Sequence, residues 1–368
     1  MEIILNKENT LTNLGNSILK KFDCPTIHSS MLDIDKILSQ NKDKKVCLIL
    51  LDGFGKNIIE MYKDYCPFIY NHIYKTINSV FPPTTVAATT SLLTCKYPIE
   101  TGYIGWSQYF PQYDQFIDVF PSINSLDKTK VNPPVTEKIL KISNLIEIIN
   151  SFNKYKARQI MGFNYLDKNN NYDLDKLFEA ANEALNDNDF VYLYSCEPDH
   201  LMHSEGTSSS NLPSLISKLN SLVKNITSKN NDAIFILIAD HGMTNIENIF
   251  IDEYPLFYNS LKKKNFFIEG RFAGFFVENE ANFIEAYNKY YKKDFILFSK
   301  KEILEKNIFG YSENINQNAL NTLGDYFLVS IGKYSFNNPS SRNHQLLVGN
   351  HAGGTTEEKE IYLSIYNN

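Results

Sequence analysis

Three short apolar runs, residues 45–51 (KVCLILL), 190–196 (FVYLYSC) and 233–239 (AIFILIA), constrain the fold of this chain more than any other feature. Each is apolar at odd and even positions alike. Successive strand side chains point to opposite faces, so such a run is stable only where both faces of a sheet are covered, as in a mostly parallel sheet between helix layers. Between the last two runs Leu212, Leu215, Ile216, Leu219, Leu222, Val223 and Ile226 recur at helical spacing. Strand, helix, strand is the crossover from which parallel sheets are built. Further helices are predicted over 135–150 and 173–186.

The chain has 368 residues, 43% hydrophobic and 21% charged, enough for one large core. The expected class is α/β, a mostly parallel central sheet with helices on both faces, forming one catalytic domain over 1–368. Residues 259–338 differ in texture, alternating strand (266–278), helix (282–291), strand (295–298), helix (300–305) and strand (326–331). This reads as a smaller α+β cap inserted into the main domain.

Composition excludes several classes. Net charge is −6 and arginine occurs only at Arg158, Arg271 and Arg342, a poor match to a duplex nucleic-acid binder with its forked Arg contacts. The five cysteines are scattered without CxxC spacing, so neither a disulfide framework nor a thiolate zinc cluster is expected. No stretch reaches the roughly 18 apolar residues of a membrane span. Residues 1–10 (MEIILNKENT) lack the basic start and long apolar core of a signal peptide, which makes the expected location cytoplasmic.

The residues just past each strong strand carry the chemistry. Residues 45–51 lead into Asp52-Gly53, the second run into Glu197, Pro198, Asp199 and then His203, and the third into Asp240-His241-Gly242. Singly, each is ordinary: an Asp-Gly after a strand is usually a turn, and Asp199 and His203, four apart on a helical turn, match a salt bridge as well as a metal pair. Together they place carboxylates and imidazoles beyond the carboxyl ends of three strands, where open α/β sheets bind ligands. A second element, SVFPPTTVAATTSLLT over 79–94, stops a strand at Pro82-Pro83 and starts a helix at Thr84 or Thr85. A hydroxyl there is either a helix cap or a nucleophile beside the positive N-terminus; threonine needs a metal ion to act as the latter.

These elements resemble the alkaline phosphatase superfamily, in particular its type I phosphodiesterase and nucleotide pyrophosphatase branch. The matching motifs are LLDGFG (50–55), FPPTT with a TxxYP element at 94–98, PDxxxHxxG (198–206), ADHGM (239–243) and GNHAGG (349–354). The resemblance implies that Asp52, Thr85, Asp240 and His241 hold one divalent ion, and Asp199, His203 and His351 a second. Thr85 rather than Thr84 is the implied nucleophile, because the family's nucleophile precedes the Thr of this element by nine positions. Zn²⁺ is the expected metal, a set of Asp and His donors without thiolate also accommodating Mn²⁺. Where the family has S-H-G-I the chain has Glu100-Thr101-Gly102-Tyr103, and Trp106 with Tyr103 and Tyr109 offers aromatic faces to a base or aryl group.

The implied activity is two-metal hydrolysis of phosphodiester or pyrophosphate bonds in a small phosphate ester or nucleotide, through a phosphothreonine intermediate. Alternatives within the superfamily are a phosphomonoesterase or phosphonate hydrolase, for which Arg271 or Arg342 would have to fold into the site, and a metal-dependent phosphomutase. From another class, the chain would be a binding protein that kept the fold and lost catalysis.

Overall fold

The computed structural model describes residues 8–367; the start of the 1–10 segment lies outside them. The central sheet has six strands in the order Ile73–Asn78, Glu360–Tyr366, Ala233–Ile238, Lys45–Leu51, Phe190–Ser195, Ala157–Met161. The strand Glu360–Tyr366 alone runs against its two neighbours, and the other pairings are parallel. Every residue of the strands Phe190–Ser195 and Ala233–Ile238 is buried, as are all but the first of Lys45–Leu51. With side chains alternating between faces, complete burial requires a helix layer on each side. One group, Leu11–Lys21, Thr85–Thr94 and Leu145–Ser151, packs together; another joins Leu174–Asp187 to Leu212–Lys229. Among the described residues no helix is long and apolar enough to cross a membrane.

The helix expected over 135–150 is two helices, Val135–Lys138 and Leu145–Ser151. The break has a local cause. Asn144 caps the second helix by accepting from the Glu147 N–H at 3.0 Å, while the Glu147 carboxylate returns to the Asn144 N–H at 3.3 Å. That reciprocal box is a helix start.

A second sheet of seven antiparallel strands has the order Phe295–Ser299, Tyr326–Ser330, Phe272–Phe275, Phe267–Glu269, Ser107–Phe110, Gln115–Asp118, Ile123–Asn124. It is assembled from two distant stretches of chain, since Ile268 bridges to Ser107. The single strand expected over 266–278 is a hairpin that reverses at Gly270-Arg271. The helix expected over 282–291 begins as Glu280–Ala286 and ends in a π-helical segment, Tyr287–Tyr291.

Arg271 explains why the hairpin turns where it does. A guanidinium cannot lie against an apolar sheet face unpaired, and here it is fully buried against Glu358, with Nε–Oε1 at 2.6 Å and Nη2–Oε2 at 2.9 Å. Its remaining donors reach the carbonyls of Gly332 and Tyr334. Glu358 also accepts from the Gly353 N–H at 2.7 Å and the Thr355 hydroxyl at 2.7 Å, so this pair ties the second sheet to the loop after His351. Replacing Arg271 with Met should lower stability by about 3–5 kcal/mol, because Glu358 is left charged in the core without its countercharge. Urea unfolding of the two proteins measures the difference.

Candidate active site

The chemistry-bearing residues converge because three neighbouring strands end side by side. Asp52 directly succeeds Lys45–Leu51, Asp240 lies two residues beyond Ala233–Ile238, and Asp199 opens the helix Asp199–Glu205 after Phe190–Ser195. The ladder continues past the strands, with the Asp52 N–H on Ser195 O and the Asp199 N–H on Asp52 O, both at 3.0 Å. Gly53 has φ +68°, and a Cβ there would come within 2.9 Å of the Asp199 Cβ. Only glycine lets the two loops approach so closely. At Gly242 a Cβ would sit 2.0 Å from the Glu357 carbonyl oxygen, which holds the Asp240-His241 turn against the C-terminal segment.

Thr85 is the first residue of the helix Thr85–Thr94, with Thr84 in the extended N-cap conformation. Its hydroxyl oxygen lies 3.1 Å from His241 Nε2 and 3.4 Å from Asp52 Oδ1. His241 Nε2 is 3.3 Å from Asp52 Oδ1 and 3.5 Å from Asp240 Oδ2. On the other side, Asp199 pairs with His203 at 3.2 Å and faces His351 at 3.9 Å. The His241 and His351 rings stack at 3.7 Å between centroids, joining the halves into one cluster. All seven residues singled out in the sequence meet here.

Three features fit this cluster to divalent cations. First, each histidine turns Nδ1 to a backbone carbonyl: His203 to Gly349 at 2.9 Å, His241 to Gly242 at 3.0 Å, His351 to Pro83 at 3.2 Å. A carbonyl only accepts, so Nδ1 carries the hydrogen and Nε2 is left as the ligand atom, the usual support for a metal-binding imidazole. Second, Asp199 Oδ1 and Asp240 Oδ2 are buried without a hydrogen-bond partner among the described residues. Third, Asp52, Asp240 and His241, and likewise Asp199, His241 and His351, each bring ligand atoms within 4.8 Å of one another.

The electrostatics agree. Burial and the neighbouring charges of Asp240 and Asp199 hold the Asp52 carboxyl well above the usual carboxylate range, and burial also raises Asp240. For Asp199 burial works upward, but His203, His351 and His241 together outweigh it and lower the carboxyl. Burial alone would lower His203, yet Asp199 raises it to about 9. Burial and His241 push His351 well below its ordinary value.

A cavity of about 900 Å³ opens on the cluster, lined by Asp52, Thr85, Asp199, His203 and His351 and by aromatic side chains including Trp106, Tyr103, Phe120 and Phe163. Tyr109 is not among them. It packs in the second sheet against Phe116 and Phe276, with the Lys263 ammonium 4.3 Å above its ring, so its face is already used. No arginine lines the cavity either. Arg271 is spent on Glu358, Arg342 pairs with Asp252 over the Phe250 ring, and Arg158 is exposed on an edge strand.

Two contributors were not singled out from the sequence. The Tyr194 hydroxyl donates to Asp52 Oδ2, fixing the carboxylate from behind. Glu269 lines the cavity and accepts from the Thr84 hydroxyl at 2.7 Å, and burial pushes its carboxyl up to about 7. An acid inside the apolar run FFIEGRF was the visible signal for Glu269; a tyrosine in a buried strand gave none for Tyr194.

Carboxylates and imidazole Nε2 atoms around a hydroxyl at a helix start define a metal-dependent enzyme of phosphoryl transfer. The sequence profile of the type I phosphodiesterase / nucleotide pyrophosphatase family matches residues 46–303, and the chain belongs to that family. Comparison with curated protein sequences gives no match. Among solved structures it is similar to human ectonucleotide pyrophosphatase / phosphodiesterase 5, at 17% identity and TM-score 0.65 over 88% of each chain. An inactive variant of the murine protein in complex with AMP is similar at 17% identity and TM-score 0.64, over 87% of each chain.

Because an incoming ion must displace the His203 proton and those of the raised carboxylates, zinc affinity should climb as pH rises from about 6.5 towards about 9. Calorimetric titration of chelated protein, repeated in buffers of different ionisation enthalpy, should show proton release at pH 7; a flat affinity profile would contradict the assignment.

Proposed function

We propose that this protein hydrolyses phosphodiester or pyrophosphate bonds of small molecules through a phosphothreonine on Thr85. The carrying observation is the Thr85 hydroxyl, set at the start of a ten-residue helix and in contact with both Asp52 and His241. Two divalent ions, zinc by preference, would be held by Asp52, Thr85, Asp240 and His241 and by Asp199, His203 and His351; when bound they supply charge neutralisation and lower the pKa of hydroxyl and water.

Thr85 Oγ1 attacks phosphorus, forming the Oγ–P bond as the P–O bond to the leaving alcohol or phosphate breaks on the opposite side, and the hydroxyl proton ends on that leaving group. The free N–H groups of the helix start face the phosphoryl oxygens, where the helix dipole favours negative charge. Water then attacks the phosphothreonine, the P–Oγ bond breaks, and Thr85 regains its proton. Trp106, with 39% of its surface exposed, and Phe120 at 6.4 Å offer ring faces to the departing group.

The cavity favours diesters over monoesters and polyphosphates. With neither Arg nor Lys among its described lining residues, it offers no guanidinium or ammonium group to a second phosphate charge or to the outer phosphates of a nucleoside triphosphate. Its aromatic wall suits an uncharged aryl, nucleoside or other apolar alcohol.

Thr85→Ala should abolish release of p-nitrophenol from bis(p-nitrophenyl) phosphate, a loss of at least about 10³-fold, while zinc content stays at the wild-type value. Undiminished turnover would remove Thr85 as nucleophile. His351→Ala should reduce bound zinc to one ion per chain, read by elemental analysis, with activity falling in parallel.

A further inference from the structure

The hairpin that carries Arg271 to its buried partner places Glu269 in the catalytic cavity. Its Oε1 accepts from the Thr84 hydroxyl at 2.7 Å and from the Trp106 N–H at 3.2 Å. Both bonds fall on one oxygen, which leaves Oε2 to the cavity that the residue lines. Thr84 immediately precedes the nucleophile, so this carboxylate stands at the edge of the phosphoryl position. Asp52 and Asp199 are the other acids of the lining, and both belong to the metal cluster; Glu269 does not.

A carboxylate beside a phosphoryl group acts against charge. A phosphate monoester brings two negative charges above neutral pH, a diester one, and the difference falls on the oxygen that in a diester carries the second substituent. With no Lys or Arg among the described lining residues to offset it, the ionised Glu269 carboxylate beside Thr84 discriminates between the two by repulsion. We propose that Glu269 is a specificity-determining residue that admits singly charged phosphodiesters and rejects doubly charged phosphate monoesters. The inference rests on the phosphodiesterase reading above. Turnover is affected as well: cleavage of a diester yields a monoester dianion, and the same repulsion favours its departure and prevents its further hydrolysis.

Glu269→Gln separates this role from a structural one, because the amide oxygen still accepts from Thr84 and Trp106 while the charge is gone. Zinc-loaded wild-type and variant proteins are compared at about pH 9, where the wild-type carboxyl is ionised. The ratio of kcat/KM for p-nitrophenyl phosphate to that for bis(p-nitrophenyl) phosphate should rise about tenfold or more in the variant, and inorganic phosphate should bind it about tenfold more tightly by calorimetry. An unchanged ratio with unchanged phosphate affinity would overturn the proposal. If wild type cleaves neither ester, the phosphodiesterase reading fails and the phosphate titration alone decides the role of Glu269. Should circular dichroism show that the Gln variant does not fold, Glu269→Ala is put through the same two measurements and read in the same way.

Discussion

Three aspartates buried within one cluster, Asp52, Asp199 and Asp240, set the terms for the rest of this structure. At about 4 Å and an effective dielectric near 20, a like-charge pair such as Asp52 and Asp240 costs on the order of 4 kcal/mol before any loss of hydration is counted. His203 answers for Asp199, but burial pushes the other two carboxyls upward, and two buried oxygens have no hydrogen bond among the described residues. A protein keeps such an arrangement when a cation of higher charge completes it. The covered parallel sheet, the close-packed glycines and the three histidines fixed through Nδ1 are the means by which the chain holds these carboxylates together.

The second sheet is tied to that centre through one hairpin. Arg271 and Glu358 form a buried pair that fixes the loop after His351, and two residues earlier Glu269 enters the cavity. Substrate selection and metal-site support therefore depend on the same turn. The chemistry near Thr85 is supplied by strand ends of the main sheet, while the second sheet and its neighbouring loops bring Trp106, Phe120 and Glu269 to the same cavity, Ile268 pairing with Ser107.

Much of this was legible in the chain. The three all-apolar runs announced buried strands, and the residues just past them announced the site, because a parallel sheet with covered faces exposes functional side chains only at its strand ends. The helix start after Pro83 narrowed the hydroxyl to Thr84 or Thr85, and the structure begins the helix at Thr85. Less legible were the break at Asn144, where a capping box lies inside a helical pattern, and the reversal at Gly270-Arg271, where an apolar run concealed a turn. Tyr109 resembled a cavity residue by proximity to Trp106, but strand alternation turned it into the second sheet.

By itself the sequence determined the fold class and the gathering of carboxylates and imidazoles at one edge of the sheet, because these depend on local patterns: periodicity and strand ends. Tertiary structure decided what no local pattern records. Glu269 is opposed to Thr84 across a separation of 185 residues, Tyr194 braces Asp52 from a neighbouring strand, and all three arginines are held away from the cavity by partners far along the chain or by an exposed strand position. Those contacts join segments distant in sequence, so only the packed chain fixes the charge that a substrate meets.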